Sequence, residues 1–200
     1  MLRKLLAPSQ APPSPRRSAD AHDQSLMASI VARDLRAFEA LYRIYHPRLA
    51  RFLGLVTPRP TIIEEALNDT MLVVWRRAAT YSGECKVSTW IFAIAYRTVL
   101  KALRTQDEPV DATGVDELAC EDAGPEQAAI RQQTQATLAS ALDTLSAEQR
   151  AVVVLTYFHD LAYAEIARIV DCPVDTVKTR MFHGRRRLRA ALHGRLEASS

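Results

Sequence analysis

The chain has 200 residues, 48% of them hydrophobic and 24% charged, with a formal net charge of +3. That length allows one or two globular domains, and an aromatic content of 6% with only 6 glycines argues against a strand-rich sandwich or barrel. No apolar run approaches the ~18–20 residues that a membrane-spanning helix requires, so membrane insertion is not expected. The prolines that follow the basic start argue against a secretory signal. Cys85, Cys120 and Cys172 are scattered and odd in number, which predicts no disulfide framework and a cytoplasmic location. No CxxC or HxxxH pair points to a metal, and nothing in the sequence calls for a cofactor.

The small net charge conceals a segregation. Residues 1–23 carry 4 basic and 2 acidic groups, and residues 24–104 carry 12 and 6. Residues 105–134 carry 1 basic and 8 acidic groups, and residues 135–200 carry 9 and 7. Two basic blocks thus flank an acidic connector. A polyanionic partner requires such blocks, although a solvated surface with a polar linker has the same composition.

In chain order, residues 1–23 are rich in Pro, Ser and Arg and read as a disordered tail. Apolar periodicity starts near Leu26. Phe38, Leu41, Tyr42, Tyr45, Leu49 and Phe52 then recur in steps of 3 and 4, one face of a helix that Pro47 is expected to bend or divide. Thr57–Pro60 reads as a breaker, and Thr61 with Glu64 as a capping box. Ile63, Ala66, Leu67, Thr70, Met71, Val74 and Ala78 form the stripe of a second helix. Tyr81–Lys86 is a loop centred on Gly83. From about Ser88 to Arg104 a third helix is apolar nearly all round between Trp90 and Ala95, which predicts the central helix of a bundle. Residues 105–126 lack periodicity and read as a self-repelling linker. Ser146 and Gln149 form a second capping box, opening a helix that runs to about Tyr157.

Leu161–Arg189 reads as a helix-turn-helix. Ile166, Ile169 and Val170 share one face of a short helix, and Asp171-Cys172-Pro173 is a turn with Pro173 at the first position of the next helix. Val174, Val177 and Met181 form the buried stripe of that helix. Its other face carries Asp175, Thr176, Lys178, Thr179, Arg180 and His183, followed by Arg185, Arg186, Arg187 and Arg189. A polar-faced second helix of this kind enters a DNA major groove, and the basic cluster would neutralise phosphates. A helical hairpin with a basic, solvated end fits the same pattern.

Two groups of motifs carry a family resemblance. Leu142–Arg150, Tyr163–Arg168, Cys172–Arg180 and Arg185–Leu188 resemble region four of an extracytoplasmic-function (ECF) RNA polymerase sigma factor of the sigma-70 family. Phe38–Pro47, Ala66–Arg77 and Val87–Arg97 resemble region two. The resemblance implies an all-α protein of two small helical domains, region two over 24–104 and region four over 135–200, joined by the acidic linker 105–134. It implies an alternative sigma factor that binds core polymerase at the β′ clamp coiled coil and β flap, recognises promoter DNA at −35 and −10, and aids melting. It also implies an anti-sigma partner and no catalytic residues. The upstream element would be read by Thr176, Lys178, Thr179, Arg180 and His183, with Arg185, Arg186 and Arg187 on the backbone.

The downstream element would meet Tyr81, Gly83, Glu84, Lys86, Ser88, Thr89 and Trp90, which supply a flat surface and polar edges for an unstacked base. Trp90 fits the core equally well, and Tyr81 is the better candidate for an exposed aromatic. Arg97 and Lys101 suit backbone contact or plain solvation. Asn68, Asp69, Leu72 and Arg76 would form the polymerase-binding stripe, where an ordinary charged surface is the alternative. Enzyme motifs such as a phosphate loop or a nucleophile elbow are missing. The functional rival is a helix-turn-helix regulator that binds duplex DNA without polymerase.

Overall fold

The computed structural model describes residues 15–105 and 137–198, with side chains over 19–105 and 137–192. Residues 1–14 of the expected tail and 106–134 of the expected linker lie outside the described residues. The elements are α1 (Pro15–Val31), α2 (Leu35–Val56), α3 (Pro60–Arg77), a 3-10 turn (Ala78–Thr80), α4 (Val87–Thr105), helical residues 137–142, α5 (Ala147–Tyr157), α6 (Tyr163–Val170) and α7 (Val174–Ala198). No strand occurs among the described residues, as the apolar periodicity predicts.

Three local expectations need correction. Residues 15–23 are helical rather than part of a disordered tail, and Asp23 is buried, accepting a 2.5 Å hydrogen bond from the Tyr45 hydroxyl. Pro47 does not divide α2, which runs unbroken for 22 residues. An interior proline costs ~3 kcal/mol, but α2 buries Leu41, Tyr45, Leu49, Phe52, Leu53 and Val56 on one face. At about 1.5–3 kcal/mol per large apolar side chain, that burial prevails. The Thr61–Glu64 capping box does not form, because α3 starts earlier. Arg59 is its N-cap, with no capping hydrogen bond from the side chain to the first turn, and Pro60 takes the first helical turn, where its fixed φ and missing N–H cost nothing.

Of the remaining end signals the Ser146–Gln149 box forms as expected, Pro173 is displaced by one position, and Asp34 supplies a cap that the sequence reading did not single out. Asp34 caps α2 by accepting from the N–H groups of Arg36 and Ala37 at 2.8 and 3.3 Å. The Ser146–Gln149 capping box opens α5. In the helix-turn-helix, Asp171 adopts the left-handed region, with φ of 51°. The Pro173 carbonyl accepts from the N–H groups of Thr176 and Val177, so Pro173 precedes the helix by one position rather than opening it.

Helix α4 is central. From Val87 to Tyr96 only Trp90 escapes full burial. One hydrophobic cluster runs from Ile30, Leu41 and Phe52 through Phe92 to Leu155, Ile166, Val177 and Met181. It is continuous because α5 packs on α2 and α6 packs on α4. Arg150 ties the same seam: it donates to the Val56 carbonyl at 3.3 Å and pairs with Asp143 at 3.0 Å. Burial pulls its pKa down while the Asp143 carboxylate opposes that shift. Gly184 lets α7 approach α5, since a Cβ there would lie 3.1 Å from Val153 Cγ2.

Candidate nucleic-acid interface

The outer face of α7 is built by the residues it buries. Val177, Met181 and Gly184 face the core, and Leu188 follows them at half burial. At 3.6 residues per turn, Asp175, Thr179, Phe182 and Arg186 then lie opposite, flanked by Lys178, His183 and Arg185. All seven are exposed. Phe182, 63% exposed, stands edge-on to His183 with ring centroids 5.4 Å apart. It was not among the sequence candidates. Its signal was an aromatic residue off the 177–181–184–188 stripe, where no core contact explains it.

Other predicted residues of this group sit differently. Val174, expected in the buried stripe, is 37% exposed. Lys178 pairs with Asp175 at 2.9 Å. Arg180 is half-buried, with Nη1 3.7 Å from the Cys172 sulfur. It also acts on Tyr96 of α4, whose pKa is raised by burial and pulled back by the Arg180 charge. Arg187 donates to the Thr144 carbonyl and to Gln149 Oε1, each at 3.4 Å, and so braces α7 against the preceding helices. Thr176 is half-buried at the flank.

The second candidate surface is the loop ahead of α4. Gly83 turns it with φ of +77°, a conformation that a side chain would strain. Tyr81 is not the exposed aromatic expected. Its hydroxyl donates to the Cys85 carbonyl at 2.6 Å and its ring packs 5.7 Å from Trp90, itself half-buried. Burial raises the Tyr81 pKa. Ser88 and Thr89 are buried at 8% and 2% exposure. Gly83, Glu84, Lys86, Arg97 and Lys101 remain exposed.

The two surfaces meet. Lys86 Nζ lies 2.7 Å from Glu165 of α6, and Arg168 donates to the Glu84 carbonyl at 3.2 Å. Glu165 also receives the Ala162 N–H that opens α6, so the loop is pinned to the first helix of the helix-turn-helix. Spacing could not reveal this, because the partners are about eighty residues apart in sequence.

On α3, Ala66, Leu67, Thr70, Met71 and Val74 are buried, whereas Asn68, Asp69, Leu72 and Arg76 are all exposed. Leu72 is 43% exposed between charged neighbours. The stripe is therefore contiguous and unused by the fold. Among the described residues no group of His, Cys, Asp or Glu is placed to hold a metal, and no helix is long and apolar enough to cross a membrane.

The family profile for sigma-70 region 2 matches residues 41–108, and that for sigma-70 region 4 matches residues 135–188. The ECF RNA polymerase sigma factor RpoE of Cereibacter sphaeroides is 32% identical over 154 residues, which is 74% of this chain and 82% of that protein. The chain belongs to the ECF RNA polymerase sigma factors. It is an alternative sigma factor acting in transcription initiation, and its relatives are sigma factors rather than enzymes. The sigma-H factor of Pseudomonas aeruginosa is 28% identical over 183 residues, covering 85% of this sigma factor and 93% of that one. Two solved structures share the fold at 22% identity. One is CnrH in complex with the cytosolic domain of CnrY, with a TM-score of 0.66 over 86% of this chain and 98% of that chain. The other is RpoE in complex with the anti-sigma factor NepR from Bartonella quintana, with a TM-score of 0.61 over 78% and 96%.

Proposed function

We propose that this sigma factor binds core RNA polymerase through Asn68, Asp69, Leu72 and Arg76, reads the −35 element with α7 and holds the melted −10 element at the loop Tyr81–Lys86. The observation that carries this reading is the outer face of α7. Thr179, Phe182 and Arg186 project from it opposite the buried Val177, Met181 and Gly184, inside the segment that matches region 4. Thr179 and Phe182 can meet base edges, Phe182 against a thymine methyl, while Lys178, Arg185 and Arg186 meet phosphates. Arg187 already braces the domain, so its role is to hold α7 at a set angle.

The domains act as two units, 24–104 and 135–200, joined by the acidic linker 105–134, with the first unit extended at its start by the helical residues 15–23. Promoter elements two turns of DNA apart are separated by ~70 Å, whereas Lys86 and Glu165 are 2.7 Å apart. The seam therefore opens when both elements are engaged. Opening frees Arg180 from Tyr96 for a base edge, while its contact with Cys172 stays within the helix-turn-helix, and frees Glu84 and Lys86 for the single strand. Ser88 and Thr89 are buried, so they contribute as scaffold rather than as contacts unless the seam opens over them. Arg97 and Lys101 lie free on α4 and suit a backbone path.

The factor works in the cytoplasm without cofactor or catalysis. Its partners are core polymerase, promoter DNA and an anti-sigma factor, the last by analogy with the partners that CnrH and RpoE carry. Runoff transcription with core polymerase and a genomic promoter library is the test. Templates that depend on the factor and on core together are expected. Tight, sequence-specific binding of bare duplex without core would instead indicate the rival regulator.

A further inference from the structure

A cleft of about 430 Å³ opens at the seam, lined by Pro47, Arg48 and Arg51 of α2 and by Phe158 and His159 of the α5–α6 turn. Small-molecule sites span ~300–1,000 Å³. The two arginines lie one helical turn apart. The Arg48 guanidinium stacks 4.8 Å from the Tyr45 ring and 5.6 Å from the Phe92 ring. Arg51 stacks 5.1 Å from Phe158 across the seam. Neither forms an ion pair with any described residue.

Between them His159 is wedged 4.7 Å from Phe92 and 6.0 Å from Phe52. Its Nε2 is sealed from solvent with no hydrogen-bond partner among the described residues. Burial, then the charges of Arg48 and Arg51, push its pKa down to about 4. At neutral pH the described lining of the cleft thus supplies two fixed cations, no carboxylate, and walls of aromatic and proline carbon.

We propose that this cleft binds a small phosphorylated ligand, its phosphate or pyrophosphate held by Arg48 and Arg51, and that occupancy clamps α2 to the α5–α6 turn. One guanidinium satisfies a single carboxylate in a planar fork. Two guanidiniums on one helix call for a group with three or more oxygens and about two negative charges. Phe158 and Pro47 offer an apolar wall for the rest of the molecule. Because the lining comes from both sides of the seam, the ligand binds the docked arrangement better than the opened one. By linkage it must oppose opening to the same extent. That consequence rests on the reading that the seam opens when polymerase and promoter are engaged; the binding site itself does not.

The test uses the full chain and pyrophosphate, titrated calorimetrically at constant ionic strength with chloride as the control anion. Saturable binding is expected for the parent, with affinity at least about tenfold lower in Arg51→Gln and in Arg48→Gln, since each removes one charge-assisted fork. Arg51 is exposed, so Arg51→Gln keeps the fold if Arg48→Gln does not. The His159 ring resonances are expected to titrate at higher pH with pyrophosphate bound, as an added anion favours the imidazolium. Equal affinity in parent and Arg51→Gln would overturn the site. So would loss of single-stranded oligonucleotide binding in Arg51→Gln with no pyrophosphate binding in the parent, which would make the arginines a DNA contact. In a second arm, saturating pyrophosphate is expected to slow holoenzyme assembly by the parent and not by Arg51→Gln. Pyrophosphate that binds without slowing assembly would refute the clamp.

Discussion

The bond between Asp23 and Tyr45 allows a quantitative test of where the folded unit begins. Tyr45 is fully buried and donates to Asp23, itself only 7% exposed, at 2.5 Å. Burial first, then the bond and the charge of Asp23, raise the Tyr45 pKa, so the phenol is the donor at neutral pH. A chain shortened to start at Met27, or the substitution Asp23→Ala, strands that hydroxyl in the core. An orphaned buried polar group costs about 1–3 kcal/mol. For a chain near 200 residues, each kcal/mol lowers Tm by about 2–4 °C, so Asp23→Ala should lower it by about 2–12 °C. The shortened chain loses more, because it also loses the first turns of α1. Tyr45→Phe alone leaves a buried carboxylate without its donor, at similar cost. The double variant removes both polar groups and should recover at least about 1 kcal/mol relative to the sum of the two. Thermal melts followed by far-UV circular dichroism report all four chains. If both Asp23→Ala and the Met27 start melt within about a degree of the parent, α1 is not part of the folded unit and the argument fails.

Other outcomes can be checked alongside. Arg186→Ala should weaken region-four binding to all duplexes about equally and lower the salt slope by about 1, whereas Phe182→Ala and Arg180→Ala should lose discrimination at the upstream element by roughly 1–3 kcal/mol per contact; competition binding with permuted −35 sequences would show an equal loss on all sequences if either is only an anchor. Charge reversal at both Asp69 and Arg76 should weaken core binding in a pull-down titration while the melt stays unchanged, and unchanged affinity would remove α3 from the interface. Exchange of residues 81–86 with those of another ECF factor should alter the favoured base in selection from a randomised −10 element; an unaltered preference would make the loop a connector. The lowered His159 pKa means that the docked seam holds the neutral ring, so docking is fully favoured above about pH 6.5 and weakens as pH falls toward about 4. The loss should reach about 1–2 kcal/mol, less than the whole shift because the residue is only half-buried. His159→Phe should abolish this acid dependence of interdomain distance, measured by fluorescence transfer, and an identical profile in the variant would exclude the histidine.

Much of this protein could be read without coordinates, because helix signals are local. The 3.6-residue stripes of α2, α3 and α4, the Ser146 capping box and the Asp171-Cys172-Pro173 turn depend only on residues within one or two helical turns. The family motifs are equally contiguous, so sigma-factor membership and the polar face of α7 followed from residue order. Tertiary packing decided what those local rules could not weigh. Pro47 is tolerated because a whole face of α2 is buried, and residues 15–23 fold because Asp23 finds Tyr45, a partner 22 positions away. The side of α7 that stays open was legible, but Arg180 and Arg187 have protein partners supplied by α4, α5 and the segment before it. The clearest case is the seam. Lys86 with Glu165, Arg168 with Glu84, and His159 among Phe52, Phe92, Arg48 and Arg51 join residues about eighty or more positions apart for most pairs. Such pairings leave no periodic trace, since their energy depends on where two separately formed helical faces come to rest against each other.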